Sequence, residues 1–458
     1  LAILPVRTKL GYGFGSAAYG IKDNGFAVFL LFYYNQVIGL DGLLVAAALA
    51  TALVVDAFID PLVGHLSDNT RTKIGKRHPW LYGSAIPIAL FWLLLWNPPA
   101  MSDGLTFAYL VVTAMLVRFS ISAYEVPSLA LLPELTPDPH ERTNIMRYRF
   151  MFGWGAGLSI MAVSYGYFLA ATPDFPDGQL NPQGYELYSF VGALVMIVAV
   201  LISARATQKR IVGNYHRGQS EAPKNDGLKE VIRSFSYHPF KLLLIASLLA
   251  YTNQGLIFAL TTYLFRHVWE LSELAFLGYS LLLFVGVILA FLTVTPLSKR
   301  IGKPKAASYF AAISLAIGIA PYWLRLADIF PANGSAALVP ALFTLAVSAT
   351  GFGIAAMILA MSMMADIAEG YEKHTGRKSE GIFSAGMFFT QKLVGGLGLL
   401  LAGLIISFVG LPDGAARGSV APEIVTNLTL AYVSIKSVIG LALIWAFRQI
   451  PLENKDSQ

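Results

Sequence analysis

Gly64-His65-Leu66-Ser67-Asp68-Asn69-Thr70-Arg71-Thr72-Lys73-Ile74-Gly75-Lys76-Arg77 lies between two apolar runs, and Pro296-Leu297-Ser298-Lys299-Arg300-Ile301-Gly302-Lys303-Pro304-Lys305 lies between two more, almost half the chain further on. A basic turn repeated at that distance marks two duplicated halves, an arrangement found in transporters built around a central cavity. Apolar runs of about twenty residues extend outward from each copy. They lie near 10–38, 43–67, 79–98, 104–132, 144–171 and 185–207, and again near 239–266, 272–298, 305–325, 336–366, 380–410 and 423–448. The expected fold is therefore all-α, with about twelve transmembrane helices in two six-helix bundles, residues 1–207 and 239–450. A polar linker (208–238) joins the bundles and a short tail (451–458) follows.

The composition agrees: 56% of the 458 residues are hydrophobic and 13% are charged, against roughly 25% charged in soluble domains. Lipid must solvate such a chain. The net charge of +6 sits in short loops and not on one basic face, so nucleic acid is excluded as a partner. Arg71, Lys73, Lys76 and Arg77 follow span two, Arg142 and Arg147 follow span four, Lys299, Arg300, Lys303 and Lys305 follow span eight, and Lys373, Arg377 and Lys378 follow span ten. The connections after spans one, three and five carry no Lys or Arg, and that after span eleven carries only Arg417. By the positive-inside rule both termini and the linker are expected to be cytoplasmic. No cleavable signal peptide is expected, because the first apolar run is too long for one. With no cysteine in the chain, disulfides and thiolate chemistry are excluded.

A charge in the middle of a membrane helix costs roughly 2.5–3.5 kcal/mol on insertion scales and is a functional candidate by default. Lys22 and Asp23 fall in span one, Asp56 and Asp60 in span two, Arg118 and Glu125 in span four, Arg149 at the start of span five and Lys392 in span eleven. Asp56 and Asp60 share one helix face a turn apart. Two carboxylates that close repel unless a cation or proton sits between them, which is what ion coupling requires. The competing reading is a structural ion-pair network with Lys22 or Lys392. Pro61 either loosens the helix there or merely kinks it. Arg149 and Lys392 come from different halves and either neutralise the carboxylates or bind an anionic group, although Arg149 can also snorkel to the surface. Arg118 reads equally as a structural partner and as a site residue. Gly11-Tyr12-Gly13-Phe14-Gly15 has no strand before it and reads as close helix packing, not as a nucleotide loop. No G-x-x-x-x-G-K-[ST], H-E-x-x-H or G-x-S-x-G motif is present, so the chain is not expected to be an enzyme.

The stretches Lys22-Asp23, Asp56-Ala57-Phe58-Ile59-Asp60-Pro61, Glu125-Val126-Pro127, Tyr148-Arg149 and Thr375-Gly376-Arg377-Lys378-Ser379-Glu380-Gly381, together with Lys392, resemble the glycoside-pentoside-hexuronide cation symporters. This is the melibiose-carrier branch of the major facilitator superfamily. The resemblance implies alternating access, with Asp23, Glu125, Arg149 and Lys392 binding substrate. It further implies that Asp56, Asp60 and Ser122 form the cation-coupling site, with Na+ possible at Asp56 and Asp60, and that Asp68, Arg71 and Gly75 form a cytoplasmic gate. Two positions depart from the pattern: Leu129 replaces a sugar-stacking Trp, and Ile59 replaces an Asn found in sodium-coupled members.

The expected function is cation-coupled symport of a sugar or glycoside-like solute in a bacterial inner membrane. The coupling ion is expected to be H+ in preference to Na+, since an absent amide ligand penalises a metal more than a proton. The alternative is a carrier of an anionic or amphipathic solute, such as a lysophospholipid or sulfonated sugar. The expected partners are a small-molecule substrate and the lipid bilayer, with the chain a monomer and no cofactor.

Overall fold

The structure, a computed structural model, describes residues 4–136, 138–215, 236–375 and 380–451. Within 380–395 only the side chain of Met387 is among the described residues. The chain divides into two compact units, Leu1–Pro223 and Lys224–Gln458. The described residues contain helices and no strand.

Unit 1 holds α1 (residues 6–37), α2 (Gly42–Asn69), α3 (His78–Trp96), α4 (Asp103–Ala130), α5 (Pro139–Val163, continued by a π-turn Ser164–Phe168) and α6 (Pro182–Tyr215). Unit 2 holds α7 (His238–Tyr263, continued by a π-turn Leu264–Val268), α8 (Glu273–Ile301), α9 (Lys303–Leu326), α10 (Leu338–Thr375), α11 (Glu380–Val409) and α12 (Pro422–Gln449). Among the described residues, nine helices are long and apolar enough to cross a membrane. Of the other three, α1 is interrupted by a turn at Gly15 and by π-turns at Gly25–Phe29 and Tyr33–Val37, and α5 opens on the polar stretch His140–Arg149. The third, α11, is apolar over Gly396–Val409. Two helices outrun their apolar runs: α10 continues to Thr375 and α6 to Tyr215. The stretch read as a linker thus begins as helix, and residues 216–235 lie outside the described residues.

The duplication is visible in the packing. In unit 1, α2 packs on α4, α3 on α4 and α6, and α1 on α5 and α6. In unit 2 the same pairs recur as α8 on α10, α9 on α10 and α12, and α7 on α11 and α12. Gly75 and Gly302, the matching glycines of the two basic turns, both adopt left-handed φ, +98° and +82°, which a side chain would strain. A second repeat joins α1 to α2 and α7 to α8. The Ile38 and Trp269 amides donate to the Tyr33 and Leu264 carbonyls at 3.0 Å, and the Leu40 and Leu271 amides donate to the Tyr34 and Phe265 carbonyls at 2.9 Å. Asp41 and Ser272 then cap α2 and α8, accepting from Leu43 and Leu44 and from Ala275 respectively.

Between apolar helices in lipid, contact packing and hydrogen bonds replace the hydrophobic effect as the source of cohesion. Unit 1 supplies an aromatic cluster in which Trp92 and Trp96 of α3 meet Tyr185 and Tyr188 of α6 and Tyr33 of α1. Edge-to-face pairs such as Trp96–Tyr188 add about 0.5–1.5 kcal/mol each. Tyr33 and Tyr34 donate to the Trp96 and Leu95 carbonyls at 2.9 and 2.8 Å, tying α1 to the end of α3. The Gly11–Gly15 stretch packs as its composition suggests: side chains at Gly11 and Gly13 would collide with Ala206 of α6 and Tyr148 of α5. In unit 2 the core gathers Phe240 and Leu243 of α7, Phe310 of α9, Leu359 and Met363 of α10 and Phe447 of α12.

Candidate functional site

The charged residues of unit 1 sort into pairs. Arg149 of α5 is buried, and its guanidinium donates to Glu125 of α4 at 2.5 Å and to the Ser128 hydroxyl at 2.8 Å. It also lies 5.0 Å from the centre of the Tyr12 ring, and Tyr12 donates to the Ser128 carbonyl at 2.7 Å. Arg149 therefore does not snorkel to the surface, and α1, α4 and α5 meet around it. Glu125 is partly accessible, with 18% of its side chain exposed. On α1, Lys22 is buried against the Tyr19 ring at 4.5 Å and lies 3.5 Å from Asp23, whose side chain is 60% exposed. Asp23 is thus presented at the surface of unit 1.

The second cluster joins α2 and α4. The buried Asp56 carboxylate receives the Arg118 guanidinium on Oδ2 at 3.1 Å and the Ser122 hydroxyl on Oδ1 at 3.1 Å. Arg118 and Ser122 are one turn apart on α4 and so reach one carboxylate from one face. The Phe26 ring of α1 lies 4.6 Å from the guanidinium. Arg118 is accordingly the ion-pair partner of Asp56. Half-buried Asp60 follows a turn later. This arrangement bears directly on the metal implied by the family resemblance. Two unit positive charges about 4 Å apart repel by about 4 kcal/mol at an effective dielectric of 20, so Arg118 works against an alkali cation on Asp56. Among the described residues, no group of three or more His, Asp or Glu is arranged to hold a metal.

At the basic end of unit 1, where Asp68, Arg71 and Gly75 are expected to form a gate, the ion pairs centre on Arg77. Its guanidinium lies 3.0 Å from Asp68 of α2 and 2.7 Å from Glu134, while Arg71 is exposed and pairs with no carboxylate among the described residues. The ion pairing of the turn therefore runs through Arg77, with Gly75 setting the bend. Unit 2 repeats the device: Lys303, directly after Gly302, lies 2.5 Å from Asp366 of α10.

Lys9 of α1 lies 2.7 Å from Glu141 of α5, and the Leu4 amide donates to the same carboxylate at 3.1 Å. The hydrogen bond from Lys9 holds the Glu141 carboxyl below its usual range, outweighing burial, which acts the other way. The stabilisation is complete above the unfolded value of about 4.3 and is lost as pH falls through the lower folded value. Melting temperatures of the wild type and Glu141→Gln should therefore differ at neutral pH and converge as the pH is lowered through the acid range. A gap that stays constant on acidification would contradict this.

Of the remaining expected site residues, Lys392 lies on α11 but its side chain is outside the described residues. Leu129 is 38% exposed on α4. One buried charge escaped the reading of the sequence although the same rule finds it: Lys436, midway along α12, donates to the Gly318 carbonyl at 3.3 Å and the Tyr432 hydroxyl at 3.0 Å. Arg266 and His267, buried in the π-turn after α7, sit at the end of an apolar run, where a charge gives no signal in the sequence.

Residues 11–454 match the MFS/sugar transport protein family. An uncharacterized symporter of Synechocystis is 26% identical, with 89% of this chain and 86% of the relative covered. The isoprimeverose transporter of Lactiplantibacillus pentosus is 25% identical over 96% of this chain and 87% of its own length. The sodium-dependent lysophosphatidylcholine symporter 1-A of Danio rerio is 23% identical over 99% and 87%. Among solved structures, an inward-facing, unoccupied bacterial homolog of the human lysosomal transporter Spinster superposes with a TM-score of 0.68 at 14% identity, covering 97% of each chain.

Proposed function

We propose that this chain, which belongs to the MFS/sugar transport protein family and to its glycoside-pentoside-hexuronide branch, takes up a sugar or glycoside-like solute by cation-coupled symport and alternating access. That membership makes it a membrane transporter and not an enzyme. The observation that carries the sugar reading is the combination of accessible carboxylates and buried guanidinium on unit 1. Asp23 and Glu125 present acceptors, and Arg149 holds Glu125 in place from behind. Sugar hydroxyls both donate and accept, so acceptors held rigidly by charged partners suit them. In this reading the basic loops face the cytoplasm and the coupling ion is H+, for which Ile59 in place of an amide is no obstacle.

Leu129 favours a second reading. An exposed aliphatic side chain in place of a stacking ring suits an amphipathic solute, as the name of the zebrafish relative illustrates. A melting-temperature screen of the purified protein separates the two, because a solute that binds only the folded state raises its stability. Neutral glycosides and disaccharides are expected to raise the melting temperature, and Asp23→Asn is expected to remove the rise. Stabilisation by lysolipids or sulfonated sugars alone would replace the first reading with the second.

A further inference from the structure

We propose that Arg118 is a tethered cation that replaces an alkali ion at Asp56 and makes this transporter insensitive to Na+ and Li+. The inference rests on reading α2 and α4 as the ion-coupling region of a symporter. Asp56 and Arg118 are both buried, with their charged groups 3.1 Å apart. Ser122, which the family resemblance makes a metal ligand, instead donates its hydroxyl to the other oxygen of Asp56. Both carboxylate oxygens are thus engaged from α4, and the pair is electrically neutral.

Three features make the replacement permanent. A guanidinium does not lose its proton in proteins, so the charge cannot leave Asp56 by titration. The side chain is only 6% exposed and its face is covered by Phe26, so it cannot swing into water without opening the contact between α1 and α4. Neither Glu125 nor Asp23 competes for it, because Glu125 is matched by Arg149 and Asp23 by Lys22. A transported ion has to arrive and depart in each cycle, whereas Arg118 can do neither. It therefore fixes the charge of Asp56 and bars from that carboxylate any metal that would compete for it.

The test is the melting temperature of purified protein in NaCl and in choline chloride at equal ionic strength and pH, with LiCl as a second probe. Wild type and Arg118→Lys, which keeps a tethered charge, are expected to melt at the same temperature in all three salts. Arg118→Ala is expected to gain a saturable Na+-specific rise of about 2 °C or more, and adding Asp56→Asn to it should abolish that rise. A saturable, Na+-specific rise in wild type would overturn the proposal. A folded Arg118→Ala that ignores Na+ would also overturn it. If Arg118→Ala does not fold, the wild-type and Arg118→Lys arms decide alone. Sugar uptake by the wild type is measured separately, so a failed assignment of substrate leaves this result standing, and the reverse.

Discussion

Arg149→Ala is expected to abolish transport and to destabilise the folded protein by about 3–5 kcal/mol, the usual cost of removing one member of a buried ion pair. The loss has two parts. Glu125 is left partly buried with its partner gone, and the Ser128 hydroxyl loses the donor that anchors it between α4 and α5. Arg149→Lys should recover part of the stability, because an ammonium supplies the charge but gathers its donors on one nitrogen and lacks the planar fork that reaches Glu125 and Ser128 from separate nitrogens. The double variant Glu125→Gln/Arg149→Gln should also recover stability, since no buried charge remains, while transport stays lost. Thermal unfolding and uptake measured on the four proteins check this. A single variant as stable as wild type would mean that Glu125 is solvated from the transport pathway and that the pair is not a structural unit.

Asp60→Asn is expected to abolish accumulation against a gradient while leaving the protein folded and able to equilibrate its solute. The substitution keeps size and hydrogen bonding and removes one charge. Moving one charge through 100 mV is worth about 2.3 kcal/mol, roughly fifty-fold in a concentration ratio, so losing a single coupled ion accounts for the whole effect. Asp60 is chosen over Asp56 because Arg118 already neutralises Asp56. Asp56→Asn should resemble an ion-pair variant, with reduced stability and an unpaired Arg118. Comparing downhill exchange with uphill uptake for Asp60→Asn checks the assignment, and wild-type uphill uptake would remove Asp60 from the coupling path.

The bilayer made most of this fold legible. Uninterrupted apolar runs allow only spanning helices, and the shared Ile-Gly-Lys of the basic turns at Gly75 and Gly302 exposed the duplication. The matching turn before α2 and α8 was not legible. Its two copies, Tyr33-Tyr34-Asn35-Gln36-Val37 and Leu264-Phe265-Arg266-His267-Val268, have identical backbone hydrogen bonds but share only the final Val. A backbone pattern that requires no particular side chain leaves no mark on the sequence. Glu270 illustrates this, holding a left-handed φ of +49° where the first copy has Gly39.

The candidate site divides in the same way. Its charged members announced themselves, since each is an ionisable residue in an apolar run, whereas Ser122 entered through the family resemblance. Their pairing did not, because it depends on how α2, α4 and α5 are rotated and shifted against one another. Arg118 reads as a partner or a site residue with equal right until α4 is set against α2, and only then does its guanidinium fall on Asp56. The basic turn shows the same limit: Arg71 and Arg77 are both near Asp68 in sequence, and the bend at Gly75 decides that Arg77 reaches it.

Uptake of a labelled disaccharide into proteoliposomes, with the membrane potential clamped and either a pH gradient or a sodium gradient imposed, tests the reading as a proton-coupled sugar symporter most directly. An inward proton gradient at equal sodium on both sides should drive accumulation above the outside concentration, and Asp60→Asn should reduce it to equilibration. Accumulation driven by a sodium gradient at equal pH, with no response to a pH gradient, would contradict the account.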